Sequence, residues 1–362
     1  MTSSDRVDND TFSIFTSSKT GHSMNSQASN HEGGSEMNKP SKHLQGSILS
    51  ETPNVKWDDV AGLELAKSEL QAAIIFALRF PQMFRDKRQV RPNILLYGPR
   101  GTGKSHLAKA VATEVNRTIF TLNIRQVISK WIGECEELIR QLFQVARDKK
   151  PSIIFLDEID AISRDGSDTN SEHMRRIRTE FLFQVDDLAN KNEGVLILAA
   201  TNLPWDLDPP VRNRFRKRIH IPLPGQHSRE ELFKVHLGEM APTLVDNKQV
   251  LDALARRTGG YSGSDIADLV QDALMTPVKG AHVATHIRKT RGRDGEWYTP
   301  RSPDAEGETP IQWNQVPGHQ LKEPSLLFED LCDAIKRTKP SISEEEVRKC
   351  VEWTQEYGTE GV

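Results

Sequence analysis

An α/β domain with a parallel sheet covered on both faces, followed by a smaller helical unit, is what this sequence predicts. Three observations carry the prediction. Short apolar runs recur at Ile94-Leu95-Leu96-Tyr97, Ile119 to Leu122, Ile153 to Leu156 and Val195 to Ala200. Continuous runs of this kind, rather than alternating ones, belong to strands buried on both faces. Stretches with helical spacing lie between them, and strand–helix alternation builds a parallel sheet. After Pro222-Leu-Pro224 the strand runs stop and only helical spacing continues.

Taken in order, residues 1–51 read as a disordered, Ser-rich tail. Twelve of the first 50 residues are serine, and apolar residues are too sparse to offset the entropy of ordering. Residues 52–224 form the α/β domain. It begins with apolar residues at helical spacing from Glu64 to Phe80 (Leu65, Leu70, Ile74, Ala77, Leu78), ended by Pro81. Helices follow at Ser105 to Glu114, Ile132 to Lys149 and Glu172 to Asp187. Residues 225–287 form the small helical domain, with helices at Arg229 to Gly238, Val250 to Thr258 and Ser264 to Val278. Residues 288–318 are rich in Gly, Pro and charge with isolated aromatics at Trp297, Tyr298 and Trp313, which suits a β-hairpin insertion. Residues 319–362 return to the helical domain and close on helices at Leu326 to Thr338 and Ser343 to Tyr357.

Composition excludes several classes. With 36% hydrophobic and 27% charged residues over 362 positions, the chain buries a sizeable core. Its 48 basic and 51 acidic side chains nearly balance, giving no reason to expect nucleic acid as a partner. Arg288, Lys289, Arg291 and Arg293 are a local basic cluster of the kind usually found on solvated loops. Cys135, Cys332 and Cys350 are odd in number and far apart, so neither a disulfide framework nor a zinc spacing emerges. No apolar run is long enough for a transmembrane helix, and Met1 to Asp10 lack the apolar core of a secretory signal. A cytoplasmic protein is the expectation.

The chemistry lies at three strand ends. Gly98-Pro99-Arg100-Gly101-Thr102-Gly103-Lys104-Ser105 fits G-x-x-x-x-G-K-[ST], with an apolar strand before it and the helix Ser105 to Glu114, which carries His106 beside the loop, after it. The glycines let backbone N–H groups turn around phosphates, and the helix N-terminus adds its positive end. Lys104 is placed to reach the β- and γ-phosphates of ATP, and Ser105 to hold Mg2+. Asp157 and Glu158 follow the apolar strand Ile153 to Leu156. Asp157 would act on the magnesium through water, and Glu158 would polarise the attacking water. Asn202, after Thr201 at the next strand end, has an amide suited to orienting that water or sensing the γ-phosphate. A lone strand-end Asn is ordinarily a turn residue, and only its place after the other two motifs raises it.

These motifs, with Val55-Lys-Trp-Asp-Asp-Val-Ala-Gly62 upstream, resemble the AAA ATPases. Ser129-Lys-Trp-Ile-Gly-Glu134, Arg175-Arg-Ile-Arg-Thr-Glu180, Thr201-Asn-Leu-Pro-Trp205 and Gly260-Tyr-Ser-Gly-Ser-Asp265 narrow the likeness. They look like the branch holding katanin, spastin and the vacuolar protein sorting ATPase that dismantles ESCRT-III filaments. The insertion near 288–318 and the ending through Lys336-Arg-Thr-Lys-Pro340 look most like the last of these. The likeness covers about residues 52 to 362.

The resemblance implies a P-loop AAA module with ATP at the subunit interfaces of a hexamer, homomeric or mixed. It implies that Asp59 to Gly62, with Gly263 and Ser264, line the adenine pocket. Lys130, Trp131 and Ile132 would face a central pore and grip an extended polypeptide, where a broad indole suits sequence-tolerant contact. Arg214 would reach a neighbouring subunit's γ-phosphate. The activity implied is ATP hydrolysis driving a polypeptide through the pore, remodelling ESCRT-III-like filaments in endosomal sorting. Membrane association would be peripheral, through partners, at the endosome.

Three departures stand out. Relatives carry two adjacent arginines before the Phe matching Phe215, whereas this chain has Asn213 and Arg214, with Arg212 one step earlier. Either turnover is slowed or Asn213 is tolerated. Arg100 stands where relatives usually carry proline, and it either tightens nucleotide binding or points to solvent. The relatives' N-terminal three-helix MIT domain is not expected here, because residues 1–50 are too short and polar to form one. Microtubule severing is an alternative, disfavoured by the balanced charge of residues 1–50, since acidic tubulin tails would call for a basic arm. A weakly active regulatory subunit that joins the ring of a relative is another.

Overall fold

The computed structural model describes residues 49–51, 53–75, 93–131, 133–163, 171–191, 194–283, 286–292, 295–301 and 325–358. The main sheet has six strands: β1 (Leu49–Glu51), β2 (Asn93–Tyr97), β3 (Thr118–Asn123), β4 (Ser152–Asp157), β5 (Val195–Thr201) and β6 (Lys217–His220). Their order is β1-β3-β4-β5-β2-β6. From β3 to β6 all neighbours pair parallel, and only β1 runs antiparallel, Leu49 opposite Thr121. Each central strand sends alternate residues to two separate cores. Leu95, Tyr97, Phe120, Leu122, Ile154 and Leu156 face one. Ile94, Leu96, Ile119, Ile153 and Phe155 face the other. Sandwiching between helices explains why these strands read as unbroken apolar runs.

Two strands differ from the sequence reading. β1 falls at the end of the segment read as a disordered tail. Its pairing with β3 (Thr118–Asn123) orders three residues whose surroundings are polar. β6 carries one buried apolar residue, Ile219, and an edge strand of that kind leaves no apolar run to read. A helix not expected from the sequence, Ile124–Trp131, precedes a second, Cys135–Asp148, which is the one expected from Ile132 to Lys149. The second buries Cys135, Leu138, Ile139, Leu142, Phe143 and Ala146 at helical spacing. The helix opening at Glu64 widens from the α-helix Glu64–Leu70 into a π turn over Gln71–Ile75, keeping Leu70 and Ile74 buried. Residues 76–80, the rest of that expected helix, lie outside the described residues.

The helical unit is built on Gln226–Leu237, Lys248–Arg257, Gly263–Val283 and Phe328–Arg337 around Phe233, Leu254, Leu269 and Leu331. Arg229 ties it together, its guanidinium donating to the carbonyls of Ala255 and Pro224. β7 (His286–Gly292) and β8 (Gly295–Arg301) pair antiparallel as a hairpin inserted after Val283. Residues 302–318 of the expected insertion, and 319–324 after it, lie outside the described residues. The final helix, Glu344–Tyr357, starts at Ser343, whose hydroxyl accepts from the Glu346 amide, and places three glutamates in its first turn. It packs back on the α/β domain: Trp353 joins the core on the Tyr97 face. Among the described residues no helix is long and apolar enough to cross a membrane.

Candidate nucleotide site

β2 (Asn93–Tyr97) lies between β5 and β6, so chain direction around the sheet reverses beside it. Crevices at the carboxyl ends of strands at such a point are where open α/β sheets bind ligands. The phosphate loop leaves β2 there. Gly98, Gly101 and Gly103 all have positive φ, 150°, 68° and 92°. At Gly101 the requirement is also spatial, because a Cβ would lie 1.9 Å from the Ser264 hydroxyl oxygen. Helix Lys104–Glu114 follows directly, its first N–H groups open toward the loop.

Lys104 is buried within this loop. Its ammonium donates to the carbonyls of Gly98 (2.9 Å) and Pro99 (2.6 Å). Burial lowers its pKa to about 8, opposed by the nearby Asp157 carboxylate and reinforced by Arg100. The Ser105 hydroxyl donates to Asp157 Oδ2 at 2.9 Å. Asp157 Oδ1 in turn accepts from the Glu158 amide. Two hard oxygen groups side by side at the loop, with open space in front, suit Mg2+, which keeps several waters and prefers phosphate partners. Among the described residues no cluster of three or more His, Cys, Asp or Glu forms a dedicated metal cage.

Glu158 adopts left-handed backbone, φ 54°, an unusual state for a non-glycine residue that turns the chain sharply after β4. The Ile159 amide then bonds back to Ala200. Glu158 forms an ion pair with Arg125, Oε2 to Nε 2.6 Å. Arg125 also donates to Asp160 Oδ2 at 2.8 Å, and the Thr201 hydroxyl donates to Asp160 Oδ1 at 2.8 Å.

These groups open on a cleft of about 1050 Å³ between the α/β domain and the helical unit. Its walls include Asp59 and Ala61, the loop from Arg100 to His106, Asp157, Glu158, Asn202, and Gly263 with Ser264. The helical unit is latched to the loop itself, since the Ser264 amide donates to Gly101 O at 3.2 Å. Gly62 N donates to Glu231 Oε2, which fixes the upstream segment against the same unit. Gly98 and Pro99 shape the loop from behind and supply the carbonyls that hold Lys104. Arg100 is exposed at the cleft.

Other expected residues fall elsewhere. Arg214 does not line the cleft; its guanidinium makes two bonds to Asp186, at 2.9 and 2.7 Å, and the bond to that carboxylate raises its pKa. Asn213 is exposed beside it. Arg212 lies over the Tyr357 ring, 3.9 Å from its centroid, on the side of the final helix. Lys130 is exposed at the end of helix Ile124–Trp131, while Ile132 and the Trp131 side chain lie outside what is described. Arg125 and the cleft wall formed by Ser228, Leu232 and His236 carry no signal in the sequence. A helix-borne cation 33 positions before Glu158 has no local pattern. Burial, with His106 nearby, lowers the His236 pKa.

A phosphate loop at a sheet's reversal point, with an Asp-Glu strand end and an Asn strand end beside it, defines a P-loop ATPase of the AAA class. Residues 94–223 match the ATPase family associated with various cellular activities (AAA). Residues 249–279 match the AAA+ lid domain and 298–358 the Vps4 C terminal oligomerisation domain. Vacuolar protein sorting-associated protein 4B of Mus musculus is 46% identical over 335 residues, 90% of this chain and 75% of that protein. Vacuolar protein sorting-associated protein 4 of Dictyostelium discoideum is 44% identical, covering 88% and 73%. The chain belongs to the vacuolar protein sorting-associated protein 4 family of AAA ATPases, and is an enzyme that hydrolyses ATP. Among solved structures, the FIGL-1 AAA domain superposes with a TM-score of 0.71 at 30% identity, covering 88% of this chain and 96% of that one. A structure described as the basis for katanin self-assembly gives 0.67 at 29%, covering 89% and 99%.

Proposed function

We propose that the chain works as a hexameric ring that hydrolyses MgATP at its interfaces and draws polypeptide segments past Lys130, Trp131 and Ile132 into a central pore. The substrate class is an ESCRT-III-like filament, acted on at an endosomal membrane reached through partners. One observation carries the ring: Arg214 stands outside the chain's own cleft, as an arginine that serves a neighbouring subunit's γ-phosphate would. The matched oligomerisation domain supports the assembly, and the vacuolar protein sorting relatives support the filament.

Within one chain the roles follow from position. Lys104 places positive charge among the β- and γ-phosphates once these displace it from the loop carbonyls. Ser105 and Asp157 would hold Mg2+, which supplies neutralisation of the phosphate oxygens when bound. Glu158 accepts the proton of the attacking water, and the Asn202 amide orients that water. Asp59, Gly62, Gly263 and Ser264 enclose the adenine end.

The test is the steady-state ATPase rate against protein concentration, with Glu158→Gln as the blank. A rate per subunit that climbs with concentration is expected, because each site is completed by a neighbour. A rate at the blank's level throughout, with ATP still bound, would favour a second reading: a weakly active subunit of a mixed ring. The exposed Asn213, where relatives carry an arginine, favours that reading.

A further inference from the structure

We infer that Arg125 is a positioning residue for ATP hydrolysis, orienting Glu158 so that one carboxylate oxygen is fixed and the other faces the attacking water. The inference rests on the reading of Glu158 as the residue that activates water.

The geometry is specific. Arg125 occupies the first turn of helix Ile124–Trp131, immediately after β3 (Thr118–Asn123), and lines the cleft beside Glu158. Its Nε lies 2.6 Å from Glu158 Oε2, while Nη2 donates to Asp160 Oδ2 at 2.8 Å. Asp160 is only 1% exposed and is itself fixed by the Thr201 hydroxyl. Through Nη2 the guanidinium is anchored on a buried carboxylate, and its Nε, on the same edge, stands in ion-pair contact with Glu158. A planar guanidinium spans two carboxylates in one fixed orientation; a lysine ammonium, a point charge, does not. Glu158 needs such a tether. Its backbone is in the left-handed region, and no other described side chain holds its carboxylate.

The same chain of contacts reaches the other side of the reaction centre. Thr201 directly precedes Asn202, and the Thr201 hydroxyl also accepts from the Leu203 amide at 3.0 Å. Asp160 is thus a common anchor: through Arg125 it sets Glu158, and through Thr201 it sets the turn carrying Asn202. The two groups that handle the water are registered on one buried carboxylate. Small misplacement of a reacting group is costly, with about 1 Å worth as much as 10²-fold in rate.

The experiment measures kcat and KM for ATP, with nucleotide affinity and melting temperature, for the full chain and its Arg125→Ala, Arg125→Lys and Glu158→Gln variants. Arg125→Ala should lower kcat on the order of 10-fold with KM and nucleotide affinity unchanged, since Arg125 acts only through Glu158. Arg125→Lys should recover part of the loss. A raised kcat in Arg125→Ala would overturn the inference, because the ion pair would then be a restraint; an unchanged kcat would overturn it as well. If Arg125→Ala does not fold, Arg125→Lys carries the test alone: it should show reduced kcat at constant KM, and full activity refutes the positioning role. Normal turnover in Glu158→Gln would sink the reading of Glu158 instead, whatever the Arg125 variants do.

Discussion

The buried phosphate-loop lysine makes nucleotide binding depend on pH in a direction that follows from the structure. Lys104 is 6% exposed, and burial lowers its pKa from 10.5 to about 8. Burial disfavours the charged form, so in the nucleotide-free protein half of these lysines have lost their proton near pH 8. Phosphate oxygens beside the amine favour the ammonium, so ATP binding draws a proton in. The uptake should be roughly 0.1 proton per site at pH 7, half a proton at pH 8 and 0.9 at pH 9. Affinity then falls toward about tenfold per pH unit above 8. The assay is isothermal titration calorimetry of Glu158→Gln with MgATP at each pH, in two buffers of different ionisation enthalpy. Absence of proton uptake at pH 9, or an affinity flat from pH 7 to 9.5, would refute the argument. Folding shows the same lysine with its own sign. Because the folded pKa lies below the unfolded one, the unfolded chain holds more protons between pH 8 and 10.5. The destabilisation, about 3 kcal/mol, is complete below the folded pKa and is relieved as pH climbs through that window.

Three further outcomes are expected. Trp353→Ala removes a side chain that is 5% exposed and meets the Tyr97 ring edge-on at 4.4 Å between centroids, so urea unfolding should report a loss of about 3–5 kcal/mol. Arg214→Ala should cut the ATPase rate on the order of 10³-fold at protein concentrations where rings form, while sedimentation shows the rings intact. Gly101→Ala meets both a positive φ of 68° and the Ser264 hydroxyl, and should weaken nucleotide binding at least about tenfold in a fluorescence titration. Adding Ser264→Gly should restore part of it, since the Ser264 hydroxyl is the nearest obstacle, while the positive φ and the Ser262 hydroxyl at 2.7 Å remain.

Legibility in the sequence followed burial and locality. The central strands could be read because both faces are covered, which makes the apolar run unbroken. The phosphate loop could be read because its glycines, lysine and serine sit within eight consecutive positions. β6 (Lys217–His220) could not, since an edge strand with only Ile219 in the core looks like a charged loop. Helix Ile124–Trp131 has no counterpart in the sequence reading, since of its described side chains only Ile124 and Val127 are buried. Side-chain partnerships across the fold left no trace at all: Arg125 with Glu158 and Arg214 with Asp186 join residues 33 and 28 positions apart on different elements. Resemblance to relatives supplied a role for Arg214, but only coordinates show the carboxylate that holds it within its own chain.

Tyr97, the last residue before the phosphate loop, stacks on His220 and donates a hydrogen bond from its hydroxyl to Thr354, 257 positions downstream. During synthesis the strand and loop emerge early, yet the ring at their root lacks its Trp353 and Thr354 partners until the final helix has been made. The nascent chain therefore carries a nucleotide loop whose footing is finished last. A ribosome-bound fragment lacking that helix would offer the motif without its support, so sequential synthesis itself delays a fully braced ATP site until the oligomerisation segment is also present.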